Sequence, residues 1–211
     1  MRCPTLAGLV LLGGVAHIAS AETFDGMEVV PVKWELELKP GGEVVNLTGT
    51  VEEVYPQLLD LNPTYDQDWA GHDDETDDEG FVDPEKRDSD NPASVLWKRS
   101  TFKSSNINCK KYTWASCHFI RKGIEYLRKV KGKPVNDPGK CGRVSCSENS
   151  GIYWCNSASG KKTLNSFGSV ADGAQAVHNK CYDPDGQFCW VRGKAWHTTK
   201  WYVSVTGVTY C

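Results

Sequence analysis

Arg143-Val144-Ser145-Cys146-Ser147, Asn149-Ser150-Gly151 and Ile152-Tyr153-Trp154-Cys155-Asn156 form the stretch that decides the fold class. Two short runs rich in β-branched, aromatic and cysteine residues flank an Asn/Ser/Gly turn signal, which predicts a β-hairpin. Upstream, the spacing predicts a helix over Ala115–Lys131, with Ile120, Ile124, Leu127 and Val130 on one side. Lys133-Pro134 and Asp137-Pro138-Gly139 close it in a loop. Downstream, a second helix is predicted over Phe167–Lys180, capped by Asn165 or Ser166, with Phe167, Val170, Ala171, Ala174 and Val177 turned inward. Gln187–Trp196 and Lys200–Thr206 read as a closing hairpin in which Trp201, Val203 and Val205 alternate with polar residues. The expectation is an α+β fold, a small disulfide-rich sandwich of antiparallel sheet and two helices.

The cysteines bear on compartment. Cys109, Cys117, Cys141, Cys146, Cys155, Cys181, Cys189 and Cys211 all lie in the C-terminal part, and Cys3 stands alone near the start. An even set in a secreted product implies a disulfide framework, with connectivity left open. A zinc site would need close pairs such as C-x-x-C, and none occurs. The start of the chain agrees with secretion: Arg2, the apolar run Leu6–Val15 and the small residues Ala19-Ser20-Ala21 have the layout of a signal peptide over residues 1–21. The product is expected to be extracellular and host-associated.

Charge divides the remainder. Residues 22–99 carry 21 Asp and Glu against 6 Lys and Arg, a formal charge of −15, whereas residues 100–211 carry 6 against 17, or +11. Such asymmetry suggests segments with different fates. Two dibasic pairs, Lys86-Arg87 and Lys98-Arg99, flank the change, which makes a kexin-type protease of the secretory pathway an expected partner. The expected organisation is therefore a small acidic pro-domain over 22–70, an acidic disordered linker over 71–99, and a cysteine-rich α+β domain over 100–211. Within the pro-domain, Trp34, Leu36 and Leu38 share one face of a strand, Pro40-Gly41-Gly42 turns it, and Glu43–Thr50 returns. Thr50 then caps a helix over Val51–Leu59, kinked at Pro56. Asn46-Leu47-Thr48 is a glycosylation sequon. Opposite charges on the two parts predict electrostatic masking of the basic module by its pro-segment, released as salt screens it.

Cys141-Gly142-Arg143-Val144-Ser145-Cys146, with Ile152-Tyr153-Trp154-Cys155-Asn156 and Val170-Ala171-Asp172-Gly173-Ala174, resembles a group of small cysteine-rich secreted fungal effector candidates. Trp34–Leu38 and Val51–Tyr65 resemble the pro-segments of that group. More distantly, Asn108-Cys109, a helix ending at Cys181, Gly193, Trp201–Val205 and the terminal Cys211 are similar in order to viral killer toxins of smut fungi. That resemblance implies an α/β-sandwich and an association with interference in calcium channels. The cysteines here are fewer and differently spaced, so the fold is what carries over.

No hydrolase, P-loop or dinucleotide fingerprint occurs, and no cofactor is expected. A ribonuclease-like reading would pair two of His118, His178 and His197 with Glu125 as acid and base, but structural or surface histidines account for these positions better. Two surfaces are candidates for target binding. One is the helix face with Arg121, Lys122, Arg128 and Lys129. The other is a strand on which Trp190, Arg192, Lys194 and Trp196 alternate and so share a face. Small domains also spend such aromatics on their cores. The leading expectation is a non-enzymatic effector or killer-toxin-like protein acting on a host or competitor through a membrane protein, an anionic surface or a glycan. A cell-wall glycan-binding module is the second, and a secreted ribonuclease the third.

Overall fold

The computed structural model describes residues 22–72, 102–185 and 188–211. The expected signal peptide, both dibasic pairs and nearly all of the acidic linker lie outside them. The described residues open with β1 (Thr23–Phe24) and β2 (Met27–Val30), followed by the hairpin of β3 (Lys33–Glu37) and β4 (Val44–Thr48). Helices α1 (Val51–Leu61) and α2 (Tyr65–Asp68) complete the N-terminal part. The cysteine-rich part runs β5 (Ile107–Asn108), β6 (Ala115–Ser116), α3 (Cys117–Lys129), β7 (Val135–Asn136), β8 (Lys140–Ser147), β9 (Ser150–Asn156) and β10 (Lys162–Thr163). It ends with α4 (Phe167–Cys181), β11 (Tyr182–Asp185), β12 (Phe188–Val191), β13 (Gly193–His197) and β14 (Trp201–Gly207).

A curled seven-stranded sheet in the order β1-β2-β8-β9-β14-β13-β5 is the scaffold. Every pairing in it is antiparallel except β2 with β8, where Val29 opposes Cys141 and Val30 opposes Gly142 in parallel. The predicted central hairpin is present. Its tip lies at Glu148-Asn149, both with positive φ (44° and 57°), and Ser150 already belongs to β9. Two left-handed residues suit a two-residue turn whose twist matches the flanking strands.

Alternation along β9 feeds two separate cores. Ile152 and Trp154 enter the main core with Val203 and Val205 of β14, under helices α3 and α4. Tyr153 and Cys155 point the other way and cluster with Cys141 and Tyr202. The period of two along a strand makes both faces of one short hairpin apolar. Helix α4 approaches β14 through Gly173, where a Cβ would sit 2.5 Å from Val203 Cγ2.

Four disulfides lie within the cysteine-rich part: Cys109–Cys181, Cys117–Cys189, Cys141–Cys155 and Cys146–Cys211. Cys141 and Cys155 are opposite residues of β8 and β9. The others tie the end of α4 to the residue after β5, the start of α3 to β12, and Cys211 to β8.

Residues 22–72 are built into this architecture. Trp34, Leu36, Val51, Val54, Leu58 and Tyr65 are fully buried, in one cluster with Ile120, Ile124, Leu127, Phe167 and Val170. The predicted alternation of β3 holds, with Trp34 opposite Leu47 and Leu36 opposite Val45. Glu53 accepts a hydrogen bond from the Thr50 N–H at 2.7 Å, closing the predicted cap, and α1 runs through Pro56 to Leu61. Burying a large apolar side chain is worth roughly 1.5–3 kcal/mol. Six of them add apolar packing to the contact, beside the ion pairs that the opposite charges of the two parts predict.

Several boundaries differ from expectation, among them the end of α3 at Lys129 rather than Lys131 and the end of α1 at Leu61 rather than Leu59. Helix α3 starts at Cys117, because Ala115-Ser116 pairs with β12 instead. α4 extends to Cys181, one residue beyond the predicted end. The predicted strand Gln187–Trp196 is two strands: β12 pairs with β11 and β6, while β13 pairs with β14 and β5. Arg192 stands at the break, donating to the Tyr112 carbonyl at 2.8 Å.

Candidate functional site

The two surfaces singled out in the sequence are rearranged by the fold. On α3, Arg121 and Lys122 are exposed. Arg128 is paired with Asp172 of α4 at 2.7 Å, where it ties the two helices together. Lys129 lies 3.6 Å from Asp66 and donates to the Tyr55 hydroxyl at 3.3 Å. Burial opposes the charge of Lys129, but Tyr55 and Asp66 outweigh it and raise its pKa. The four cations therefore divide into two free to meet solvent and two engaged in the fold.

The strand set also divides. Trp190 belongs to β12 and Lys194 and Trp196 to β13, so the four residues do not share one face. Arg192 lies over the Trp114 ring at 4.0 Å. Lys194 is buried, 9 % exposed, with its ammonium 4.1 Å from the Tyr202 ring centroid and 4.8 Å from that of Trp196. An alkyl ammonium among aromatic faces is held by their quadrupoles.

What neutralises Lys194 comes from the other end of the chain. Asp25 and Gly26 form the turn between β1 and β2, both at positive φ (55° and 82°), a conformation that Asp-Gly adopts readily. The turn places the Asp25 carboxylate, 8 % exposed, between the ammonium groups of Lys111 and Lys194. The hydroxyls of Tyr202 and Tyr112 donate to it at 3.2 and 3.3 Å. Burial alone would raise the Asp25 carboxyl, but hydrogen bonds and charge from Lys111 and Lys194 override this and hold it down to about 2. Burial also pushes the Tyr202 phenol far up, reinforced by the Asp25 charge, so it stays a donor.

Beside this cluster, Phe24 stacks on Tyr153 with centroids 4.1 Å apart and a 3° interplanar angle, and on Tyr112 at 5.7 Å. The ring thus fills a slot between two tyrosines. The rest of the hairpin continues the charge match. Lys140 meets Glu28, and Glu22 faces Arg143 at 4.0 Å and accepts from the Tyr153 hydroxyl at 3.2 Å. A groove of about 560 Å³ runs alongside, lined by Lys111, Tyr112, Thr113, Thr206 and Val208 with Phe24 and Asp25. A second groove, of about 690 Å³, lies between Ser105–Lys110 and Trp196.

Sequence reading named Lys194 but missed Asp25, Lys111, Tyr112, Tyr153 and Tyr202. The available signal was Asp25-Gly26 between Phe24 and Met27, a hairpin turn in an acidic, apolar-punctuated run.

The three histidines of the cysteine-rich part lie on different elements. His118 lies in the first turn of α3 against Phe119, His178 near the end of α4 stacks on Tyr182, and His197 ends β13 stacked on Trp201 at 4.6 Å. His178 lies close to Cys117 and Cys189, but those sulfurs are bonded to each other and cannot serve as thiolate ligands. Asn46, the sequon residue, is exposed on β4. Among the described residues no helix is long and apolar enough to cross a membrane.

No protein-family model matches the chain, and neither the curated proteins nor the solved structures contain a significant match to it.

Proposed function

We propose that the chain is a secreted, non-enzymatic protein of the effector or killer-toxin type, cut from its precursor after Arg99 by a kexin-type protease and acting on a host or competitor. The observation that carries this reading is the division of linkages. All four disulfides lie within residues 109–211, while residues 22–72 are attached to that module by packing, hydrogen bonds and ion pairs without a cysteine of their own. A disulfide-dense module favours an oxidising, extracellular setting. Cleavage in the linker then yields two chains that stay together without a covalent bond.

The test is to isolate the secreted product and add it to plant and fungal cells. Two chains beginning at Glu22 and Ser100, co-eluting under native conditions and separating in denaturant without reductant, together with growth arrest, death or a defence response, are the expected result. An uncut product removes the processing step, and the absence of any cellular response removes the effector reading.

A second reading, a cell-wall glycan-binding module, is favoured by exposed aromatics on the paired strands β11 and β12, Tyr182 at 51 %, Phe188 at 66 % and Trp190 at 37 % exposure. Co-sedimentation with insoluble chitin that is lost in Trp190→Ala would support it.

A further inference from the structure

The N-terminal part is attached in two tiers. Residues 32–65 supply six fully buried side chains to the main core, whereas no residue of the arm 22–30 is fully buried. Phe24, Met27 and Val29 of the arm pack on the satellite cluster of Cys141, Tyr153, Cys155 and Tyr202, and Phe24 also stacks on Tyr112. The arm can therefore lift while the main core stays intact. Beneath it the module keeps a preformed receptor, because Cys141 and Cys155 are fixed to each other and Tyr153 and Tyr202 belong to central strands.

That receptor has three parts in register. Tyr153 and Tyr112 flank the Phe24 ring, two ammonium groups and two phenol hydroxyls converge on the Asp25 carboxylate, and one side of β8 pairs with Glu28–Val30. Arg143 and Lys140 add cations opposite Glu22 and Glu28. With the arm away, Lys111 and Lys194 would lose their shared counter-ion. Lys111 is exposed and Lys194 is held against the Tyr202 and Trp196 rings, and two neighbouring cations without a counter-ion attract another anion to refill the site. A small anion could satisfy the lysines alone. The slot for a ring one residue before the carboxylate, followed by backbone pairing along a sheet edge, fits a peptide, as in recognition by strand addition.

We propose that Lys111, Lys194, Tyr112, Tyr153 and Tyr202 form a binding site for an acidic peptide segment carrying an aromatic residue beside a carboxylate, and that Phe24-Asp25 is its resident intramolecular occupant. The proposal rests on the reading of a secreted target-binding protein and gives the target's chemistry. The arm competes with the target, so affinity is set by how often the slot is open.

The test uses the secreted, full-length product and a fluorescein-labelled synthetic peptide with the sequence of residues 22–30. The double variant Phe24→Ala/Asp25→Asn empties the slot while leaving the main core untouched. If the arm occupies the wild-type slot more than nine-tenths of the time, the opened variant binds the peptide at least about tenfold more tightly. Adding Lys194→Met to the opened variant should abolish binding. Asp25→Asn alone, which preserves side-chain size, serves if the double variant does not fold, and should still tighten binding. Equal binding by wild type and a natively folded opened variant overturns the proposal. So does displacement of the peptide by inorganic phosphate as potently as by unlabelled peptide, which would make the site a simple anion site. A concentration-dependent wild-type dimer that the peptide dissociates would assign the slot to a second copy's arm and overturn the foreign-peptide assignment. Peptide binding without any cellular response sinks the effector reading and leaves the slot assigned, and a response without peptide binding does the reverse.

Discussion

Trp34 lies flat on Phe167, with ring centroids 4.0 Å apart and an interplanar angle of 18°. One ring precedes the dibasic pairs and the other opens α4, so this stack joins what processing would separate. Its indole N–H also donates to the Gly49 carbonyl at 2.9 Å. Trp34→Ala should destabilise the protein by roughly 3–5 kcal/mol, the usual cost of an aromatic-to-alanine cavity. Urea denaturation followed by circular dichroism measures it. A loss below about 1 kcal/mol would mean that residues 22–72 are not part of the cooperative unit.

The balance between packing and charge predicts how the two parts respond to salt. At about 1 M salt the screening length is roughly 3 Å, so exposed ion pairs such as Lys140–Glu28 fade while apolar burial persists. After cleavage the two chains should therefore co-elute on gel filtration in 1 M sodium chloride. Separation by salt alone would restore the electrostatic account.

Asp25 makes arm docking sensitive to acid. Its carboxyl is held at about 2 against an ordinary 3.8, so the docked state binds the proton less readily than the free arm. A depressed pKa contributes stability above the ordinary value and loses it as pH falls through the depressed one. Hydrogen-exchange protection of residues 22–30 should accordingly be flat in this respect from neutral pH to about 4, then fall toward pH 2. In Asp25→Asn that step should vanish. An unchanged acid profile in the variant would assign the transition to other carboxylates.

The helix α3 cations should behave in two classes. Arg121→Gln with Lys122→Gln should leave stability within about 0.5 kcal/mol, as for exposed sites. Arg128→Gln should cost about 1–3 kcal/mol, because Asp172, whose side chain is 11 % exposed, loses its charged partner. Thermal melts of the two variants separate the classes. Equal stability would show that the Arg128–Asp172 pair adds nothing beyond solvation.

Local periodicity made much of the fold legible. The stripe Ile120, Ile124, Leu127 and the set Phe167, Val170, Ala174, Val177 marked two helices to within a few residues, and Trp34 and Leu36 marked an inward strand face. What escaped depends on distant partners. Ala115-Ser116 reads as helix until β12 is there to pair with it, and the break at Arg192 depends on Tyr112 and Trp114. The candidate slot escaped for the same reason. Asp25 and Lys194 are 169 residues apart, and only the parallel pairing of β2 with β8 brings the arm to that face.

Both rims of the seven-stranded sheet end in two-residue strands, β1 on one side and β5 on the other. A strand that short offers an incoming chain too few free amides to nucleate stacking, which protects a secreted protein against fibrillar growth at high local concentration. On the β1 side this protection depends on the arm. When the arm lifts, the rim becomes β8, eight residues long and joined covalently to its neighbour through Cys141–Cys155. Prolonged vacancy of the slot would therefore carry a colloidal hazard as well as a functional gain, and selection on solubility alone would favour an arm that closes quickly.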